Sequence, residues 1–214
     1  MNKGPKFTPA NKYIFDPKAY AWNLPSGHTC PLALKCLAKA DRKTGKITDG
    51  EEQEYKCYSA VYERYPSVRK RVWENFEAVK KKSPEEVAKV LSSCFPVKAK
   101  RVRIHTSGDF FSQDYFDGWL MFIRQNKDCH FWAFTKSLWY WVKRKDQIPA
   151  NLVLTASVGG KQDLLIGKHD LKYAKVVYSR TEAAECNLRI DKDDRLAAYG
   201  AESFALLENF KAKK

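Results

Sequence analysis

The chain has 214 residues, 44% of them hydrophobic and 14% aromatic, and 39 Lys and Arg against 25 Asp and Glu give it a formal charge of +14. That length fits one domain with a sizeable core, and the apolar content excludes a disordered chain. The charge favours an anionic partner, nucleic acid or a nucleotide first. The start, "MNKGPKFTPANKY", has no apolar signal region, and no apolar run approaches the length of a membrane span. A reducing cytoplasm is therefore the expected compartment. There the six cysteines are read as ligands, catalytic thiols or buried hydrophobes rather than disulfides.

In chain order, residues 1–62 read as an irregular, cysteine-bearing segment and 63–214 as an α/β core, together one domain. "RKTGKITDGEE" is an exposed loop or hairpin, since Thr44-Gly45 and Asp49-Gly50 are turn dipeptides. A helix is expected over 67–81, where Val68, Val72, Phe76 and Val79 keep helical spacing and Ser67 serves as the cap. A second begins at Ser83, which precedes Pro84 and two glutamates. Beyond it, "RVRIHTSG", "HFWAFTKS", "NLVLTASVGG" and "AKVVYSR" read as strands. "SQDYFDGWLMFIRQN", "LWYWVKRK" and "EAAECNL" read as helical connections. This rhythm implies an α/β fold built on a parallel sheet or a partial (β/α) barrel. No Rossmann fingerprint or P-loop is present.

The strands end in small polar residues. In a parallel sheet the carboxyl ends share one side, where ligands collect. Ser107, Gly108, Asp109, Thr135, Lys136, Ser137, Ser157, Gly159, Gly160, Ser179 and Arg180 are thus candidates for one rim. Such residues also simply suit turns between strands and helices.

Cys30, Cys36 and Cys57 pose the chemical question. Structural zinc takes closely spaced cysteine pairs, and five residues separate Cys30 from Cys36. His28 would have to complete a zinc set. An iron–sulfur cluster tolerates wider spacing because its corners spread over a larger object. Three thiolates would leave one iron of a [4Fe-4S] cluster open, as in enzymes that cleave S-adenosylmethionine, although those carry their cysteines in one short loop. Cys94, Cys129 and Cys186 read as small buried residues, with Cys186 a late candidate for a fourth ligand. His105, near Ser107, is a candidate base or ligand in the barrel interior, against a satisfied buried histidine. The "IDKDD" carboxylates at 190–194 suit a hard cation or a solvated turn.

Taken together, "NLPSGHTCPLALKCLAKADRKTGKITDG", "CYSA", "VRIHTSGDFFSQDYFDGW", "FWAFTKS", "LTASVGG" and "IDKDDRLA…SFALL" resemble the gene-product-eighty-eight family of phage and plasmid proteins, over roughly Tyr20 to Leu207. The resemblance implies a phage or mobile-element origin. The three cysteines, Ser107-Gly108-Asp109 and Thr135-Lys136-Ser137 match its pattern. Lys192 stands where the family pattern has histidine, which removes support for a metal role of that tail.

The leading expectation is an iron–sulfur enzyme with Cys30, Cys36 and Cys57 as ligands. A rim of Ser107, Gly108, Asp109, Thr135, Lys136, Ser137 and Ser157 would bind S-adenosylmethionine or a similar charged molecule. Asp109 would take its ammonium group and Lys136 its carboxylate, and a nucleotide or nucleic acid would be the substrate. The alternative is a zinc-stapled nucleic-acid-binding protein without catalysis. A metal-dependent nuclease using Asp109, Asp191, Asp193 and Asp194 ranks third.

Overall fold

The apolar runs at 101–104, 130–135, 152–157 and 173–177 form the centre of the fold. The computed structural model describes residues 4–10 and 13–208. Before the core lie β1 (Thr8–Pro9) and β2 (Tyr20–Trp22), a two-stranded hairpin of β3 (Ala38–Ala40) and β4 (Ile47–Asp49), and α1 (Tyr58–Tyr62). Then come α2 (Pro66–Val79), α3 (Pro84–Cys94), β5 (Arg101–Ile104), α4 (Gln113–Gln125), β6 (His130–Thr135) and α5 (Leu138–Val142). The chain continues with β7 (Leu152–Ser157), α6 (Leu164–Lys168), β8 (Tyr173–Val177), α7 (Arg180–Glu185), β9 (Arg189–Ile190), α8 (Arg195–Tyr199) and β10 (Phe204–Leu207).

Helix α3 starts where the sequence places it. The Ser83 side chain accepts from Glu86 N and the Glu86 carboxylate accepts from Ser83 N, with Pro84 at the first helical position. Helix α2 starts earlier than expected: Tyr65 is its cap and Pro66 its first residue, so Ser67 lies inside the first turn. Proline at that position gives up a donor that no helix uses, which outweighs the missing cap bond.

Eight strands form one sheet in the order β1-β2-β5-β6-β7-β8-β10-β9, parallel throughout except for β1 against β2. From β2 to β8 the strands follow one another in chain order. Right-handed crossovers that always step the same way put their helices on one face. There Val102, Ile104, Phe131, Ala133 and Leu154 pack with Leu91, Phe116, Trp119 and Ile123. Burying side chains of that size contributes roughly 1.5–3 kcal/mol each. The link from β9 back to β10 steps the opposite way, so α8 lands on the opposite face. Ala197 and Ala198 pack there against Trp132, Ala174 and Phe204. Among the described residues no ladder joins the edge strands β1 and β9. None of the described helices is long and apolar enough to cross a membrane.

Strands β2 and β10 were not anticipated. Both are short, and both are fixed by parallel neighbours rather than by their own pattern. The N-terminal segment is accordingly less irregular than its sequence suggests.

Candidate functional site

The carboxyl ends of β5, β6 and β7 carry the loop that holds Cys30 and Cys36. At one side, Leu24 N donates to the Ser107 carbonyl at 2.9 Å, and Ser107 Oγ donates to the Leu24 carbonyl at 2.7 Å. Asn23 Oδ1 accepts from Thr106 N and Ser107 N. At the other side, Lys35 N donates to the Gly159 carbonyl at 3.0 Å, and Lys161 N to the Leu32 carbonyl at 2.9 Å. Gly108 permits the contact: its φ is +87°, and its missing side chain leaves room for Leu24 and Thr29.

Cys57 joins this loop because the chain between it and Cys36 folds back on itself. After the β3–β4 hairpin, Glu54 N and Tyr55 N both donate to the Lys35 carbonyl, at 2.9 and 3.2 Å. Tyr55 then reaches over the rim and donates its hydroxyl to the Val158 carbonyl at 3.0 Å. Cys57 follows as the cap of α1. The three cysteines are electrostatic neighbours. Burial is the main cause that pushes the thiols of Cys30 and Cys36 up; Asp109, Cys57 and Cys36 add to this at Cys30, and at Cys36 Lys136 opposes it while Cys57 and Asp109 add to it. Thiols held that high are protonated, so a metal entering among them would displace protons. Among the described residues, no three His, Cys, Asp or Glu side chains converge closely enough to hold one metal ion. His28, the proposed completion of a zinc set, places Nε2 3.0 Å from the Ala40 carbonyl and its ring 5.0 Å from Trp73.

Of the rim residues, Asp109, Thr135, Lys136 and Ser157 meet and bind one another. Asp109 accepts from Thr135 Oγ1 at 2.6 Å, from Lys136 N at 2.8 Å and from Phe110 N at 2.7 Å. Burial lifts its pKa to about 6, against the lowering effect of those bonds and of the Lys136 charge. Lys136 Nζ donates to Ser157 Oγ at 2.5 Å, to the Ser157 carbonyl at 3.2 Å and to the Val158 carbonyl at 3.1 Å. Ser137 Oγ donates to the Phe110 carbonyl at 2.6 Å. The Gly159 and Gly160 amides are held by Asp163. Ser179 caps α7. In this arrangement Asp109 ties the end of β5 to the end of β6, and Lys136 ties β6 to β7.

His105 lies off the rim. Strand β5 ends at Ile104, and His105 has φ +65°, so strand alternation stops just before it. Its Nε2 is 2.9 Å from Tyr115 Oη, and Phe110 and Trp119 surround the ring on the α4 side. Burial drives its pKa down to about 3, which leaves the imidazole neutral near pH 7. The tail carboxylates are also engaged. Asp194 pairs with Arg103 at 3.1 Å and accepts from Trp132 Nε1 at 3.0 Å, and Asp191 accepts from Ala197 N. Among the remaining cysteines, Cys129 precedes β6 at the opposite end of the sheet, Cys94 ends α3, and Cys186 accepts from Lys175 Nζ at 3.2 Å.

A cavity of about 120 Å³ between the β3–β4 hairpin and α1 reaches Cys57, lined also by Lys56, Val61 and Arg64. A larger, shallower cleft of about 440 Å³ lies at the amino ends of the strands, around Lys100, His130 and Tyr199. That end is the one ligands in parallel α/β sheets generally avoid.

Sequence reasoning missed Glu63, fully buried beside Ser26 and Ser107. A usable signal existed: Ser59 and Glu63 are four apart at a helix, hence on one face with Cys57 nearby.

The family model for Gene product 88 matches residues 2–214. The chain is 45% identical to "Gene 88 protein" of Mycobacterium phage L5 over 53 residues, 24% of this chain. That stretch spans 22% of the relative's own length. No solved structure matches.

Proposed function

The chain belongs to the Gene product 88 family, and we propose that it is an iron–sulfur enzyme whose cluster is held by Cys30, Cys36 and Cys57. What supports this reading is that three cysteines from two separate segments lie within electrostatic reach of one another above the carboxyl ends of the parallel strands. Lys136, Asp109 and Tyr55 border them. A four-iron cluster suits thiols that are neighbours without being crowded onto one point, because its corners are spread apart. Three cysteines leave one corner for a ligand, and S-adenosylmethionine is the candidate. The parallel strands from β2 to β8 follow chain order, as they would in a partial (β/α) barrel, and this supports the comparison by architecture alone. Lys136, whose charge acts on Cys36, and its partner Ser157 are the groups suited to a carboxylate. Asp109 serves the rim by positioning Lys136 and Thr135. The +14 charge supports a nucleotide or nucleic-acid substrate in a cytoplasmic setting.

Alanine replacements at all six cysteines test this reading. Visible thiolate-to-iron absorption in protein purified without oxygen is expected to vanish for Cys30, Cys36 and Cys57 and to persist for Cys94, Cys129 and Cys186. Colourless protein with bound zinc would overturn it in favour of a zinc-stapled binding protein.

A further inference from the structure

At the amino ends of the strands, three aromatic rings form one stack. Strands β5 and β6 start side by side, with Arg101 opposite His130. Strand alternation puts both on the face that carries α8, together with Trp132. Tyr199 ends α8 and completes the stack. The Trp132 and His130 rings are 6.3 Å apart with 22° between their planes, and the His130 and Tyr199 rings 4.6 Å apart with 13°. Each ring is held by a polar bond. Trp132 Nε1 donates to Asp194 at 3.0 Å, His130 Nε2 lies 2.8 Å from the Ala198 carbonyl, and the Tyr199 hydroxyl accepts from Arg101 Nε at 2.9 Å. Phe15 braces the stack, 5.6 Å from Trp132 and 5.5 Å from Tyr199. Trp132 is fully buried, whereas Tyr199 is 55% exposed, so the stack begins in the core and ends in solvent. A ring already fixed in place loses little freedom when another flat ring settles on it.

The cleft of about 440 Å³ opens beside Tyr199, between Lys100, Arg101, Lys127 and Asp128. Arg101 is committed to Tyr199 and to Asp16, 2.9 Å away. Lys100 and Lys127 are exposed, and among the described residues their ammonium groups have no hydrogen-bond or ion-pair partner. They give up no internal bond on meeting an anion. Asp128 is the one carboxylate lining the cleft. Small ligands of parallel sheets favour the opposite end because the loops after the strands enclose them there. A chain laid across a shallow surface needs no such enclosure. Free cations beside an exposed, ordered aromatic ring are what an unpaired nucleic-acid strand requires: phosphates meet the charges, and a base stacks on the ring. In a duplex the base faces are covered by their neighbours, which leaves Tyr199 nothing to stack on.

We propose that this cleft binds single-stranded nucleic acid, with a base on Tyr199 and backbone phosphates at Lys100 and Lys127. Arg101 acts as a positioning residue that orients Tyr199. The surface lies at the opposite end of the sheet from the cysteines and needs no metal there, so it stands or falls apart from the iron–sulfur reading.

Fluorescence anisotropy of a labelled single-stranded DNA of about 15 nucleotides, with the full-length protein, tests this. Tyr199→Leu is expected to weaken binding about tenfold, while Tyr199→Phe, which keeps the ring, stays within about twofold of wild type. Lys100→Gln combined with Lys127→Gln is expected to make the slope of log affinity against log salt shallower by about 1.4, at about 0.7 for each phosphate of a single strand. Lys46→Gln combined with Lys89→Gln removes two exposed charges elsewhere and is expected to leave that slope unchanged. Asp128→Asn leaves the ring and the lysines in place and is expected to tighten binding. Should Tyr199→Leu not fold, the lysine pairs and Asp128→Asn, all at exposed positions, decide the matter. No binding by the wild type, undiminished binding by folded Tyr199→Leu, equal losses in the two lysine pairs, or a duplex bound as tightly as the single strand would each overturn the inference.

Discussion

Replacing Gly108 by alanine is expected to loosen the join between the cysteine loop and the sheet. Gly108 has φ +87°, and an added Cβ would lie 2.6 Å from both Leu24 Cβ and Thr29 Oγ1 and 3.2 Å from the Leu24 carbonyl. The left-handed backbone costs an L-residue about 1–2 kcal/mol. Forcing extra volume into a packed contact costs about 1–3 kcal/mol more. Neither neighbour yields easily: Leu24 is fully buried, and Thr29 Oγ1 donates to the Pro25 carbonyl at 2.8 Å. The expected loss is about 2–5 kcal/mol, a large share of the ~5–15 kcal/mol that holds a typical domain together. Urea unfolding followed by tryptophan fluorescence measures it. Gly167→Ala is the control, since an added Cβ in α6 meets nothing within 4 Å; it is expected to be stabilising by about 0.5–1 kcal/mol. Wild-type stability in Gly108→Ala would refute the claim that this close approach fixes the Cys30 loop on the rim.

Two further outcomes follow from buried charges. The raised pKa of Asp109, about 6 against 3.8, means that its contribution to stability is full below the lower value and is lost as pH rises through the higher one. At 1.36 kcal/mol per unit, the stability of wild type relative to Asp109→Asn is expected to fall by up to about 3 kcal/mol between about pH 4 and about pH 7; a constant difference would contradict this. Lys172 Nζ donates to the carbonyls of Leu196, Ala197 and Gly200 at 2.7, 3.0 and 2.7 Å, closing the end of α8. Lys172→Met is expected to cost about 2–3 kcal/mol in urea unfolding, because it strips the donor from those carbonyls.

The central strands and α3 were legible because their information is local: alternating or continuous apolar runs, and a serine, proline and glutamate in the order a helix start demands. The rim was legible for a topological reason, since parallel strands must end on one side. Other features were hidden because their cause lies elsewhere in the chain. Three residues at Tyr20–Trp22 become a strand only because β5 offers a ladder. Cys36 and Cys57 look distant until the return of Glu54 and Tyr55 onto Lys35 closes the gap. Asp109 and Lys136 read as groups free to bind a ligand, yet burial makes each seek a protein partner, and the neighbouring strand ends supply them. The backbone turn at His105 gave no sequence signal and moved that ring into the α4 core.

Iron and acid-labile sulfide in the wild-type protein and in Cys36→Ala, both purified without oxygen, test the central claim most directly. The account predicts iron and sulfide in near-equal amounts in the wild type and their loss in the variant. Stoichiometric zinc without sulfide, or iron and sulfide undiminished in Cys36→Ala, would contradict it.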